Sequence, residues 1–287
     1  MAVMGLWSGT DLDLPGYLRR IGFDGEPSPS LETLEKLHRL HTTSIPFENL
    51  EIILGRGIPL DLESVQQKLV RSERGGYCFE HVVLFAAALE RLGFTFTPII
   101  GRVSLGADWT SRPATHALVV VEVSGTRYLC DVGFGRGPLG PIELRDGVQT
   151  DQDGWRFRLS SDPIGDLFGT DRWTLWQHDE KWIDRHVFTL TPQTPIDYRV
   201  GNHFVSTSPR SPFVARPFIQ QFTAAEHHTL DGDTLTTVQP DGPSASRSVP
   251  APEVPDVLAE TFGITLTSDD AAALVEIEAA RRSSSDE

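Results

Sequence analysis

The hydrophobic period of the chain changes from helical to strand-like just after Gly93, and this restricts the fold more than anything else in the sequence. Upstream, Leu31, Leu34, Leu37 and Leu40 recur at helical spacing behind Ser30, an N-cap followed by Glu32 and Glu35. That helix should stop before Pro46. A second amphipathic stretch runs from about Leu60 to Val70, and a third, "CFEHVVLFAAALERLG", from Cys78 to a glycine cap at Gly93. From residue 95 the grammar is that of strands. "TFTPIIGRVSL", "HALVVVEV", "TRYLCDVGF", "WRFRLS", "RWTLWQH" and "KWIDRHVFTL" are short, rich in β-branched and aromatic residues, and divided by Gly, Asp and Ser turns. Helices gathered first and strands after them predict an α+β chain with an antiparallel sheet or barrel at its centre.

After about residue 203, "FVSTSPRSPF" reads as a loop, and "PFIQQFTAAEHHTLDGDTLTTV" as strands around an Asp-Gly turn. Helices follow from Val254 and from Ser268, with Arg281 and Arg282 where the macrodipole favours cations. The expected division is residues 1–93 helical, 94–203 mostly β, and 204–287 mixed, with a frayed end at "SSSDE".

The 287 residues are 39% hydrophobic, enough for a substantial core. With 25 Lys plus Arg against 40 Asp plus Glu, a net charge of -15 repels phosphate backbones and anionic lipid, which argues against nucleic acid and membrane partners. The first ten residues run into Asp11 and Asp13 without a cationic, apolar secretory signal, and no apolar run approaches the roughly eighteen residues of a spanning helix. A soluble cytoplasmic protein is expected. Cys78 and Cys130 are the only cysteines, and both read as free thiols.

Cys78 follows Gly75 and Gly76 in "RGGYCFEH", and three readings are open: packing residue, metal ligand or nucleophile. Packing is the usual fate of an intracellular cysteine. However, a turn at the two glycines places Cys78 in the first turn of its helix, where unpaired N–H groups and the dipole favour a thiolate. A nucleophile needs a base and a group that orients the base. His116 opens "HALVVVEV", and Asp131 lies in "TRYLCDVGF". If Ser124-Gly125 is a two-residue hairpin loop, Val123 pairs with Thr126, and His116 and Asp131 become diagonal neighbours on one face, roughly 7–8 Å apart at the backbone. The same register turns Cys130 to the other face, as a packing thiol. The metal reading draws on "HRLH" and "CFEH", which give His38 with His41 and Cys78 with His81 at i, i+3, although a structural zinc in a chain of this size usually brings more cysteines.

"IPFENL" (45–50), "RGGYCFE" (74–80), "THALVVV" (115–121), "DVGFG" (131–135) and "STSPRSPF" (206–213) resemble, in order and spacing, the motifs of the arylamine N-acetyltransferase family. The resemblance implies an N-terminal helical bundle, a central antiparallel β-barrel and a C-terminal α/β lid, with a papain- or transglutaminase-like Cys-His-Asp triad. It further implies Cys78 as nucleophile, His116 as base and Asp131 as orienting carboxylate. Acetyl-CoA would be the acyl-donor substrate and an arylamine or arylhydrazine the acceptor, in ping-pong steps, with no permanently bound cofactor or metal.

By motif position, Phe47, Val103, Phe134 and Phe204 would line the acyl and arylamine pocket, Gly133 and Gly135 would let the backbone approach CoA, and Thr115 would offer it a polar contact. Each Phe could equally be core, and each Gly a tight turn. Arg136 and Arg210 are positional candidates for the CoA phosphates. Arg74, with Glu48 and Glu80, suggests an ion-pair network holding the Cys78 loop to the "IPFENL" turn. One departure is Val82, where many members of the family carry Asn. The same triad could also serve a macrolactam-forming amide synthase on a carrier-bound acyl chain, or a cysteine hydrolase. A binding protein without chemistry would have no need of all three residues.

Overall fold

A computed structural model of the chain describes residues 5–163, 171–223, 225–240, 242 and 244–283. Five helices come first: α1 (Leu14–Ile21), α2 (Leu31–Ser44), α3 (Leu50–Ile53), α4 (Leu62–Gln66) and α5 (Cys78–Arg91). Asp13, Ser30 and Asp61 cap α1, α2 and α4 by accepting a backbone N–H of the first turn. A π-helical turn, Gln67–Arg71, extends α4. The helix α2 ends at Ser44, ahead of Pro46, and Gly93 adopts a left-handed φ of 81° just beyond α5, as the sequence predicts.

Eight strands follow: β1 (Thr95–Val103), β2 (His116–Val123), β3 (Thr126–Cys130), β4 (Ile142–Glu143), β5 (Gln149–Gln152), β6 (Trp155–Pro163), β7 (Asp171–His178) and β8 (Trp182–Phe188). They form one antiparallel sheet in the order β4-β3-β2-β1-β8-β7-β6-β5, curled into a nearly closed barrel. Gln152, on the β5 edge, accepts the N–H groups of Leu139 and Gly140 just before β4 and donates to the Gly140 carbonyl, so one side-chain amide bridges the two edges.

β2 is buried on both faces. Ala117, Val119 and Val121 pack with α5 in the helical core, while Leu118 and Val120 point into the barrel with Ile99, Phe157 and Leu175. The expected hairpin is present: Ser124 and Gly125 both have positive φ and Val123 pairs with Thr126. Cys130 packs with the helical core, on the face opposite the barrel interior, as that register requires.

α6 (Pro195–Thr207) begins behind Thr194, whose N–H and hydroxyl both donate to Asp197. This helix was not legible: the first four residues of the expected loop "FVSTSPRSPF" form the last turn of α6, and the non-helical run begins only at Ser208. Gly201 explains its position, because a Cβ there would lie 2.6 Å from the Phe79 ring of α5. The lid is a four-stranded antiparallel sheet, β9 (Phe218–Phe222), β10 (His227–Asp231), β11 (Thr234–Val238) and β12 (Ser244–Ser248), backed by α7 (Val254–Phe262) and α8 (Ser268–Ser283). Among the described residues no helix is long and apolar enough to cross a membrane.

Phe47 joins the helical part to the lid. It exchanges both backbone hydrogen bonds with Gln220 of β9, while Glu48 N–H donates to the Gly76 carbonyl at 2.8 Å and Gly76 N–H to the Pro46 carbonyl at 3.1 Å. Gly75 is required for this approach, since a Cβ there would meet the Pro46 carbonyl oxygen at 2.1 Å.

Candidate active site

Cys78 is the first residue of α5, held there by Glu80, whose carboxylate accepts the N–H of Tyr77 at 3.1 Å. Beneath this turn lies the expected ion-pair network, together with a member the sequence did not reveal. Arg74 reaches Glu48 at 2.9 Å and Glu51 at 3.4 Å, and Lys68, from the π-helical turn, reaches Glu80 at 2.8 Å and Glu48 at 3.5 Å. Glu48 is buried, yet Lys68 and Arg74 hold its carboxyl below the ordinary range. Burial and the nearby Glu48 charge push Glu80 up despite Lys68.

The thiol of Cys78 lies 3.7 Å from the Thr115 carbonyl and shares one cavity with the His116 ring. His116, at the start of β2, uses Nε2 on Asp131 Oδ1 at 3.0 Å, which leaves Nδ1 for the sulfur. His116 and Asp131 are both buried. Burial alone would disfavour a charged ring, but the Asp131 charge and hydrogen bond, with support from Cys78, raise the His116 pKa to about 10. Asp131 is held well below the usual carboxylate range: desolvation opposes this, and His116 and then His186 overcome it. The three residues expected from the sequence are therefore together.

The loop after β3 makes this contact possible. A Cβ on Gly133 would lie 2.7 Å from Cys78 Cα and 3.0 Å from its carbonyl oxygen, backbone atoms on an element that cannot yield. The glycine is thus needed for the approach of this loop to the start of α5. Gly133→Ala is expected to displace the Asp131 loop and reduce acetyl transfer on the order of a hundredfold, with little change in melting temperature. Steady-state kinetics beside thermal denaturation checks this.

Above the thiol opens a cavity of about 540 Å³. Phe47, Val103, Thr115, Gly133, Phe134 and Phe204 all line it, as do Leu105 and Phe213, so its walls are largely apolar and aromatic. Phe134 meets the His116 ring edge-on at 5.1 Å. Gly135 is not among the lining residues: with φ at 84° it lies against the side-chain amide of Gln220. Val82 is fully buried in the helical core and likewise does not reach the cavity. Arg136 and Arg210 do line it, and so do Arg112, Arg185 and Arg216, a cationic rim on a chain of net charge -15. Asp179 faces Arg136 at 3.5 Å, and Asp231 pairs with Arg216.

The histidines weighed as zinc ligands are engaged elsewhere. His41 bonds Tyr17 and His81, each at 2.9 Å, His81 donates to the Pro46 carbonyl at 3.2 Å, and His38 accepts the Asp131 N–H at 3.2 Å. Among the described residues, the set whose spacing could hold a metal is His116, Asp131 and His186, with ligand atoms within 4.8 Å of one another. A metal there would have to displace the hydrogen bonds that join both rings to the carboxylate. His186, from β8, was not picked out from the sequence. The available signal was a histidine in "KWIDRHVFTL" sharing the inward face with Phe188, where an apolar residue would ordinarily stand.

A family model described as N-acetyltransferase matches residues 30–271. The arylamine N-acetyltransferase of Mycolicibacterium smegmatis is 38% identical over 261 residues, covering 89% of this chain and 93% of that protein. The crystal structure of the Nocardia farcinica arylamine N-acetyltransferase is similar with a TM-score of 0.90 at 53% identity, covering 95% of this chain and 96% of that one. The Mycobacterium marinum arylamine N-acetyltransferase in complex with CoA is similar with a TM-score of 0.83 at 32% identity, covering 94% and 98%. Matches of this extent at these identities establish that the chain belongs to the arylamine N-acetyltransferase family.

Proposed function

We propose that the protein transfers an acetyl group from acetyl-CoA to the nitrogen of arylamines or arylhydrazines, in two half-reactions through an acetyl-Cys78 intermediate. The observation that carries this reading is the His116–Asp131 hydrogen bond beside Cys78 at the floor of an aromatic cavity rimmed by arginines. The CoA complex of the Mycobacterium marinum relative supports the choice of donor.

With the His116 pKa at about 10, the ring is a strong enough base to take the proton of the attacking Cys78 sulfur. The sulfur attacks the thioester carbonyl, the tetrahedral adduct collapses, and CoA leaves as its thiol with the proton from His116. Having given its proton to CoA, His116 is left neutral and ready to accept another. The amine nitrogen then attacks the acetyl carbon, His116 takes the nitrogen's proton, and the Cys78 thiolate departs. Anilines are largely uncharged at neutral pH and already nucleophilic, and flat rings suit the walls formed by Phe47, Phe134 and Phe204. The cationic rim suits the CoA phosphates.

The test is intact-protein mass spectrometry after exposure to acetyl-CoA without amine. One acetyl adduct is expected, placed on Cys78 by peptide mapping and discharged by an aniline with formation of the anilide. An unmodified protein, or an adduct at another residue, overturns the reading.

A further inference from the structure

Asp131 is held by more than His116. Its second oxygen, Oδ2, accepts a hydrogen bond of 2.7 Å from Nε2 of His186, a ring fully buried at the end of β8. The strand between β2 and β8 is β1, which places Gly101 opposite His116 and Val103 opposite His186. Across β1 the two imidazoles approach to 4.9 Å and converge on one carboxylate.

The protons on this assembly are determined by its partners. Asp131 is ionised and can only accept, so both Nε2 atoms carry hydrogen. Nδ1 of His186 is buried with no partner among the described residues, which suits a bare lone pair on a neutral ring and would be costly for an N–H. Burial, acting first, and the neighbouring His116 and Arg185 charges keep the His186 ring neutral. Phe134 and Phe188 flank it at 5.4 and 5.8 Å and restrict its rotation.

We infer that His186 is a positioning residue for acetyl transfer: by fixing the second oxygen of Asp131, it sets the angle at which the first oxygen holds the His116 ring towards Cys78. A carboxylate tethered at one oxygen can turn about its last bond, and the imidazole it orients turns with it. A carboxylate tethered at both cannot. His186 also supplies one of the few hydrogen bonds that offset the burial of this charge, so its removal raises the proton affinity of Asp131. The other groups facing Asp131 are His38 from α2, on its backbone N–H, and the thiol of Cys130; Arg185 adjoins His186. Among the described residues none of these donates a side-chain hydrogen bond to Oδ2.

This inference rests on the proposed triad, and the experiment keeps the two apart. The rate of Cys78 alkylation by iodoacetamide is measured against pH in wild type, His116→Ala, His186→Leu and His186→Gln, with thermal denaturation of each. Gln carries an amide N–H where the ring carries Nε2–H, whereas Leu carries none. The Leu variant is expected to lose on the order of tenfold in plateau rate, with its acid limb moved to higher pH, while the Gln variant keeps the wild-type limb. A Leu variant with the wild-type profile overturns the inference, as does a Gln variant that folds and loses the profile. If His116→Ala alkylates like wild type, the triad reading itself fails; if that variant is impaired and His186→Leu is not, only the role of His186 falls.

Discussion

Asp131→Asn is expected to lower acetyl transfer on the order of a thousandfold or more, while leaving the fold and the cavity in place. The substitution is nearly isosteric, but an amide presents one acceptor and one NH₂ donor where the carboxylate presented two acceptors. Both neighbours of Asp131 donate, His116 to Oδ1 at 3.0 Å and His186 to Oδ2 at 2.7 Å. Whichever way the amide faces, its NH₂ meets an Nε2–H, so one ring must change tautomer or turn away. If the ring is His116, hydrogen moves to Nδ1 and the nitrogen facing Cys78 can no longer accept. The electrostatic loss is independent of geometry. Support from the Asp131 charge is what overcomes burial and brings His116 to about 10, and without it burial pushes the ring to the neutral form. The expected record is a collapse of kcat, a KM for acetyl-CoA that changes little, and Cys78 alkylation that requires more alkaline solution. An Asn variant with near-normal kcat would mean that Asp131 serves only to fill space.

How much of this was legible in the sequence follows from how local each signal is. His116 and Asp131 lie on two strands of one hairpin, so a single correct turn at Ser124-Gly125 placed both on one face and Cys130 on the other. Cys78 was marked by the glycine pair that precedes a strongly periodic helix. His186 and Lys68 were hidden for the opposite reason: they reach the site from 55 and 12 residues away and belong to no local pattern. β4, with two residues, and β5, with four polar ones, are held by pairing to their neighbours rather than by propensity. The helix α6 was obscured because its packing depends on Gly201, a poor helix former that fits only against Phe79. Gly133 was singled out as a glycine, but its partner, the backbone of Cys78, lies on another element and needed the fold to be seen.

The same reasoning makes Lys68 a sensitive position outside the chemistry. Its ammonium is largely buried and lies between Glu80 at 2.8 Å and Glu48 at 3.5 Å, both fully or almost fully buried. Burial by itself would strip the proton from such a lysine, and the two carboxylates reverse this and raise its pKa. Lys68→Met keeps the length and apolar stem and removes the charge. Glu48 retains Arg74 at 2.9 Å and the Leu50 N–H at 2.6 Å, but Glu80 keeps only the Tyr77 N–H. A buried carboxylate left without its cation is expected to cost about 3–5 kcal/mol, which at this chain length lowers the melting temperature by roughly 10 °C. The pH dependence carries the sign. Glu80 is already pushed up, so its folded form binds a proton more readily than its unfolded form, and the variant pushes it further. The deficit should therefore shrink as pH falls from neutral towards 5, because a protonated Glu80 needs no partner. Glu48 behaves oppositely: its lowered pKa contributes stability that is present above the unfolded value and lost only in more acid solution. Thermal denaturation of wild type and Lys68→Met across that range should show the two curves converging from the acid side of neutrality. Parallel curves would mean that Glu80 does not carry the uncompensated charge. Because Glu80 also accepts the N–H that starts α5, the variant that survives at neutral pH should alkylate Cys78 more slowly and with less defined pH dependence, as the turn bearing the nucleophile loosens.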